Sequence, residues 1–392
     1  MKKILFVIST LNTGGAQRAF SNIIMSLPSD YEITILLNDT EDIVYPYRGV
    51  VVDLGMKPEK DKTQINYQIR VFMKRYVALR KMKRRGGYIA CISALESANL
   101  ANVLTGNKFC KCILSIRVYH EEKADNPFIS RLIMCLIKIF YNRADNIVAV
   151  SEGIRKNLVN DYKLDSNKVC TIYNGYNVEK IIEHSRLPVN NAIKLDLSSR
   201  VIVASGRLTE QKGFIHLINC FSNIIHYFPE VKLVILGEGE LRTQLEKKIL
   251  ELDLTDRVFL PGFVQNPFSI ISKCDIFVLP SLYEGFPNVL AEAIICGVPC
   301  IAADCRTGPR EILADGKKKS KLVNTFEKAE YGILCPSFLE DEKKAEQIMT
   351  QALTELLSNR NLYQFYRKQC EKRKKDFEMN DIIEKWTNMI ER

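Results

Sequence analysis

Short β-branched runs alternate with helix-length amphipathic segments twice over in this chain, and that rhythm constrains its fold more than any other feature. In the first half, residues 4–8, 33–37, 88–93, 112–116 and 147–150 read as strands. Their continuous apolar character predicts strands buried on both faces, and the long spacers predict parallel pairing through right-handed crossovers. The rhythm stops between about residues 181 and 200, where Leu187-Pro188, Asn190-Asn191 and Ser198-Ser199 interrupt any period, which places an interdomain linker there. It restarts at residues 201–204, 231–236, 258–260, 276–279 and 298–302, predicting a second α/β sheet. From Asp341 to Glu391 the spacing of Leu353, Leu356, Leu357, Ile382, Ile383, Trp386 and Ile390 predicts helices that close the structure. Residues 316–331 have no clean period and read as an exposed loop.

A length of 392 residues fits two cores at about 150 residues per domain. The longest apolar runs are short, six residues at 132–137, against the roughly 20 a membrane-spanning helix needs. Lys2-Lys3 precedes an apolar run of residues 4–8, too short for a signal h-region, so the expectation is a mature cytosolic start. Twelve cysteines occur with no C-x-x-C and only four histidines, which indicates neither a zinc site nor a disulfide framework and fits reduced thiols. The formal charge of +10 admits an anionic substrate, a membrane surface or nucleic acid, and no recognition motif accompanies it for the last.

Three stretches carry chemistry. Gly14-Gly15 stands between the first strand and a helix, where backbone N–H groups and the helix dipole favour an anion; a tight turn is the simpler alternative. It is not G-x-G-x-x-G, so nicotinamide binding lacks support. Gly206-Arg207-Leu208-Thr209-Glu210-Gln211-Lys212-Gly213 follows the strand at 201–204 and puts two cations at the mouth of a helix, as a diphosphate requires, although a solvated charge pair would read the same. In Pro280-Ser281-Leu282-Tyr283-Glu284-Gly285-Phe286-Pro287-Asn288-Val289-Leu290-Ala291-Glu292-Ala293, Glu284 falls in a strand-to-helix loop at the carboxyl end of the sheet, where ligands of open α/β sheets bind. Glu292 lies one turn inside the helix among Leu290, Ala291, Ala293, Ile294 and Ile295, a setting that argues against a solvated glutamate.

The Glu284-x7-Glu292 spacing within Glu-Gly-Phe-Pro-Asn-Val-Leu-Ala-Glu-Ala resembles the signature of the family 4 retaining glycosyltransferases. Gly14-Gly15, Ser151-Glu152-Gly153, Tyr173-Asn174-Gly175, Gly206-Arg207 with Lys212-Gly213, Gly237-Glu238-Gly239 and Pro261-Gly262-Phe263-Val264 resemble that family in the same order, over nearly the whole chain. The resemblance implies a GT-B fold: two facing Rossmann-like domains with parallel sheets and a C-terminal helical closing segment. It implies an acceptor domain over 1–184, a nucleotide-sugar domain over 200–375 and a helix over 376–392 packing back on the first domain. By resemblance, Arg207 and Lys212 bind the donor diphosphate, Glu292 the ribose and Glu284 the hydroxyls of the transferred sugar. Gly14, Gly15, Phe286, Pro287, Asn288 and Val289 join the donor contacts, and Val264 faces the base. No cofactor or metal is implied. The family often has a histidine after a mid-domain strand of its first half; here Ser115-Ile116-Arg117-Val118-Tyr119-His120 occupies that place, so Arg117 and His120 compete for the role beside the reacting sugar. Thr307-Gly308-Pro309-Arg310-Glu311-Ile312-Leu313 also resembles surface-polysaccharide members and reads as a helix start rather than a contact.

Between residues 70 and 85 the chain has Arg70, Lys74, Arg75, Arg80, Lys81, Lys83, Arg84 and Arg85 with no acidic residue, and Ile69, Phe72, Met73, Tyr76 and Leu79 fall at helical spacing among them. Such a helix either lies on an anionic membrane or packs its apolar stripe inward behind a solvated basic face, and the sequence leaves both open. The expectation is a cytoplasmic enzyme, peripheral on the inner face of the cell membrane. It would move a sugar, hexosyl or N-acetylhexosaminyl, from a UDP-linked donor to a glycan or lipid-linked acceptor in capsule or other polysaccharide synthesis. A soluble synthase making a storage glucan or disaccharide, and a degenerate non-catalytic partner subunit, are the alternatives.

Overall fold

In a computed structural model the chain is described over residues 1–12, 14–57, 65–119, 127–189, 199–314 and 325–391. It separates into two compact units, Met1–Gly175 with Met379–Arg392, and Tyr176–Glu378.

Among the described residues the first unit has a seven-stranded sheet of β1 (Lys2–Val7), β2 (Tyr31–Leu37), β3 (Val50–Asp53), β4 (Tyr88–Ala94), β5 (Lys111–Ile116), β6 (Asn146–Ala149) and β7 (Val169–Thr171), in the order β3-β2-β1-β4-β5-β6-β7. Every pairing is parallel. Successive residues of β1 point to opposite faces: Ile4 and Phe6 enter one core cluster, Leu5 and Val7 another. The first cluster is completed by Met379, Ile382, Ile383, Trp386 and Ile390 from the helix Met379–Glu391, whose apolar residues recur at helical spacing.

The second unit has β8 (Val201–Ser205), β9 (Lys232–Leu236), β10 (Val258–Gly262), β11 (Ile276–Leu279), β12 (Cys300–Ala303), β13 (Glu327–Lys328) and β14 (Ile333–Cys335), in the order β10-β9-β8-β11-β12-β14-β13. All its pairings are parallel except the two-residue edge strand β13, which runs antiparallel to β14. In each sheet the order reverses beside the first strand, between β1 and β4 and between β8 and β11. In doubly wound sheets such a switch point is where ligands bind, at the strands' carboxyl ends.

Four strands escape the sequence pattern: β3 and β13 lie at sheet edges, and β7 and β14 are three residues long. The expected linker needs correction at its start. Residues 181–186 belong to the helix Val178–Arg186, because the Asn177 side chain accepts a hydrogen bond from Lys180 N–H and Val178 and Ile181 are buried. The helix ends ahead of Leu187-Pro188, and residues 190–198 lie outside the described residues. So do residues 316–324 of the loop expected at 316–331, whose remainder contributes β13.

Candidate functional site

The second unit gathers its glycine loops at the carboxyl ends of β8 to β11. Gly206 N–H donates to Leu236 O, Leu208 N–H to Glu238 O and Gly237 N–H to Gly262 O, joining the loops after β8, β9 and β10. The approach is too close for side chains: a Cβ on Gly237 would stand 1.9 Å from Gly206 O, and one on Gly239 2.4 Å from Leu208 O. Gly213 has φ +62°, and a Cβ there would meet Pro280 O at 2.2 Å. The backbone opening the helix Phe214–Ile224 therefore lies directly against the end of β11.

Across this switch point the loops after β8 and β11 are laced together. Leu282 N–H donates to Gln211 O, and Gln211 Nε2 donates to Tyr283 O, each at 2.8 Å. Lys212 Nζ reaches Glu284 Oε1 at 2.5 Å, with its stem along Gly206. Two groups singled out from separate motifs thus form an ion pair. The Ser281 hydroxyl also donates to Glu284 Oε1, at 2.7 Å. Glu284 is buried within that pair, whereas Arg207, on the neighbouring loop, is exposed.

After Glu284 the chain turns through Gly285 and Phe286 to Pro287, the cap position of the helix Asn288–Ile295. Glu292 is 1% exposed within that helix. A carboxylate held there needs polar company, so the setting differs from that of a solvated helix glutamate. Asn288 Oδ1 accepts from Tyr176 OH at 2.7 Å. Val264 is half-buried after Gly262, next to Phe263, which is exposed. The Thr307–Leu313 stretch is a helix start, with Pro309 opening Pro309–Leu313, and within the chain the Thr307 hydroxyl donates to Glu284 O. Beneath it Cys305 is buried, and burial together with the nearby Glu284 carboxylate pushes its thiol up, leaving it protonated and unreactive. Sequence pattern assigns no role to Ser281, Thr307 or Tyr176. Ser281 stands only three residues before Glu284, but a serine in a loop carries no signal until its partner is known.

In the first unit, Gly14 and Gly15 open the helix Gly15–Ser26 as expected. Arg117, at the end of β5, donates from Nε to Ser115 Oγ at 3.1 Å and from Nη1 to Asn174 Oδ1 at 2.6 Å. Its guanidinium also lies 5.3 Å from the centre of the Phe20 ring. Arg117 and the Gly14-Gly15 helix are therefore brought together by Phe20 and by the Tyr173-Asn174-Gly175 segment. His120, its rival, lies outside the described residues.

The basic helix Ile65–Arg85 uses its residues differently from the expected stripe. Leu79 and Val71 are buried and Phe72, Ala78 and Met82 pack inward, while Ile69, Met73 and Val77 are exposed. Two of the eight cations point into the unit. Arg75 is 1% exposed and donates to Ser97 Oγ at 2.7 Å and Asn38 Oδ1 at 2.6 Å. Lys83 donates to Asn102 O at 2.9 Å and Gly106 O at 2.8 Å, satisfying carbonyls at the end of the helix Glu96–Leu104. Burial lowers the Arg75 guanidinium to about 10, still charged at neutral pH. Among the described residues no helix is long and apolar enough to cross a membrane.

Family models match both halves: Glycosyltransferase Family 4 over residues 13–180 and Glycosyl transferases group 1 over residues 189–355. An uncharacterized glycosyltransferase of Methanocaldococcus jannaschii is 31% identical over 352 residues, covering 85% of this chain and 86% of its own. An N-acetylgalactosamine-N,N'-diacetylbacillosaminyl-diphospho-undecaprenol 4-alpha-N-acetylgalactosaminyltransferase of Campylobacter jejuni is 27% identical over 382 residues, 96% of each chain. Among solved structures, sucrose-phosphate synthase from Thermosynechococcus elongatus superposes with a TM-score of 0.77 at 17% identity, covering 99% of this chain and 98% of its own. At that identity the likeness shows the fold, GT-B with its two Rossmann-like sheets.

Proposed function

The chain belongs to the family 4 glycosyltransferases, and on that premise we propose that it moves a sugar, with retention of configuration, from a UDP-linked donor to a lipid-linked glycan in bacterial surface-polysaccharide synthesis. The observation that carries this reading is the Lys212–Glu284 pair at the β8/β11 switch point, with Arg207 on the neighbouring loop and Glu292 in the helix that follows. Cations meeting a carboxylate at the end of a doubly wound sheet suit a ligand that carries phosphates on one side and hydroxyls on the other.

In this reading Arg207 and Lys212 hold the donor diphosphate, Glu292 accepts from the ribose and Glu284 accepts from hydroxyls of the sugar. The bond between the anomeric carbon and the diphosphate oxygen breaks as an acceptor hydroxyl adds from the same face. The hydroxyl proton passes to the departing diphosphate, whose charge the two cations stabilise. They do so without a metal. The relative in Campylobacter jejuni bears an α-transfer onto a diphospho-undecaprenol glycan in its name, which supports both a lipid diphosphate acceptor and retention from an α-linked donor. The outer face of the helix Ile65–Arg85, with Arg80, Lys81, Arg84 and Arg85 beside Met73 and Val77, suits the surface of an anionic membrane carrying that acceptor.

Thermal unfolding in the presence of a panel of nucleotide sugars tests the donor, because a ligand of the native state alone raises the midpoint. A UDP-sugar is expected to raise it more than UDP does, and to release UDP when a lipid diphosphate-linked glycan is added. A panel in which only purine or cytidine donors act would overturn the uridine assignment.

A further inference from the structure

We propose that Ser281 and Thr307 are positioning residues that hold Glu284 with one carboxylate oxygen turned toward the donor sugar, a proposal that rests on the role just given to Glu284. Both hydrogen bonds described for this carboxylate fall on Oε1: one from Lys212 Nζ at 2.5 Å and one from Ser281 Oγ at 2.7 Å. Oε2 accepts none among the described residues. Two donors on one oxygen fix the plane of a carboxylate and leave the other oxygen for an incoming hydroxyl.

The two donors are not equivalent. Lys212 is a mobile cation, and a diphosphate competes for it with Glu284. Ser281 is neutral and fully buried, so an arriving diphosphate does not draw it away. In the loaded enzyme the Ser281 hydroxyl is therefore the contact that keeps Glu284 aimed. Thr307 acts on the backbone of the same residue, donating to Glu284 O from a site that is itself 4% exposed. Its neighbour Gly308 has φ +94°, and a Cβ there would lie 2.5 Å from Pro287 Cδ and 3.1 Å from Gly285 O. The turn at 307–308 is thus pressed against the loop that carries Glu284, and the hydroxyl sets its height.

The test separates nucleotide binding from use of the sugar. Ser281→Ala, Thr307→Val and Thr307→Ser are compared with wild type for UDP affinity by calorimetry, and for UDP release from whichever of UDP-glucose, UDP-N-acetylglucosamine and UDP-N-acetylgalactosamine the wild type turns over. Ser281→Ala is expected to lower kcat roughly 10- to 100-fold, the scale of a misplacement near 1 Å, with UDP affinity within about threefold of wild type. Thr307→Val should fall about tenfold and Thr307→Ser should recover most of that. A structural role alone would move UDP affinity and turnover together and would not be rescued by serine. Wild-type turnover in both Ser281→Ala and Thr307→Val overturns the proposal, as does a parallel loss of UDP affinity. Glu284→Gln is the control: if it is inactive while Ser281→Ala is normal, only the positioning role fails. Wild-type turnover in Glu284→Gln, or a wild type that uses none of the three donors, removes the reading beneath it.

Discussion

Each unit carries a segment rich in cations, residues 206–213 in one and the helix Ile65–Arg85 in the other, and the two segments spend their charge differently. In the second unit Lys212 is placed by loop geometry at the carboxyl end of two adjacent strands and meets a buried carboxylate there. In the first unit Arg75 and Lys83 turn inward to satisfy neutral oxygens, while Arg80, Lys81, Arg84 and Arg85 stay on the surface. Position relative to strand ends therefore says more about chemistry than the number of charges in a run. A cation beside a switch point faces a ligand crevice, whereas one in a helix faces whatever that turn of the helix meets.

The contrast is sharpened most by Glu284→Gln, which should reduce transfer roughly 10³-fold while leaving UDP affinity within about threefold, since the proposed diphosphate contact of Lys212 remains. Steady-state rates and calorimetry on the purified variant check it. Nucleotide affinity collapsing in step with transfer would show the carboxylate holding the loop rather than the sugar.

Reversing the outer cations of the helix is next. Replacing Arg80, Lys81, Arg84 and Arg85 by Glu should weaken binding to vesicles containing anionic lipid by at least about 10²-fold, at about 1 kcal/mol for each cation near the surface. UDP affinity should be unchanged, because Arg207, Lys212, Glu284 and Glu292, the groups proposed to hold the nucleotide sugar, belong to the other unit. Raised salt should mimic the substitution, with charges screened over about 8 Å at physiological ionic strength. Co-sedimentation of wild type that is indifferent to anionic lipid at low salt would leave this face an ordinary solvated one.

Arg207→Ala and Lys212→Ala should each cut turnover by about 10²-fold, the cost of removing a preorganised group from developing charge. Their order tests the comparison within one loop: Arg207 is exposed and Lys212 lies against Gly206 and Glu284. Wild-type rates in both variants would detach the diphosphate from this loop.

The same distinction explains which parts of the molecule are legible in its amino-acid sequence. Both sheets are legible because strands buried on two faces leave unbroken apolar runs, and the helix Met379–Glu391 because its apolar residues recur at helical spacing. The edge strand β3 is not: Val50 is 62% exposed and the strand is too short to show a period. The helix Val178–Arg186 is hidden by the Leu187-Pro188 break just beyond it. In the site, Glu284, Glu292, Arg207 and Lys212 stand in ordered motifs, but the Lys212–Glu284 pair spans 72 residues and the Thr307–Glu284 contact spans 23, so neither leaves a local trace. The helix Ile65–Arg85 misleads through composition, because a buried arginine and a solvated one look alike in a sequence.

The smallest effect on function, and the closest test of that last point, is Arg75→Met set against Lys81→Met. The guanidinium of Arg75 links Asn38 and Ser97, and methionine would leave those groups short of donors inside the unit. Losing hydrogen bonds from a charged donor, with polar partners left buried, costs about 2–3 kcal/mol. In a unit of this size each kcal/mol shifts the melting midpoint by about 2–4 °C, so a fall of roughly 4–12 °C is expected for the transition of the first unit. Lys81 is exposed, and its replacement should change stability by less than about 0.5 kcal/mol. Vesicle binding should show the reverse order, weakened in Lys81→Met and unchanged in Arg75→Met below its melting temperature. Equal stability losses in the two variants would mean that the inward cation is no better integrated than the outward one. The division between structural and surface charge along this helix would then fall.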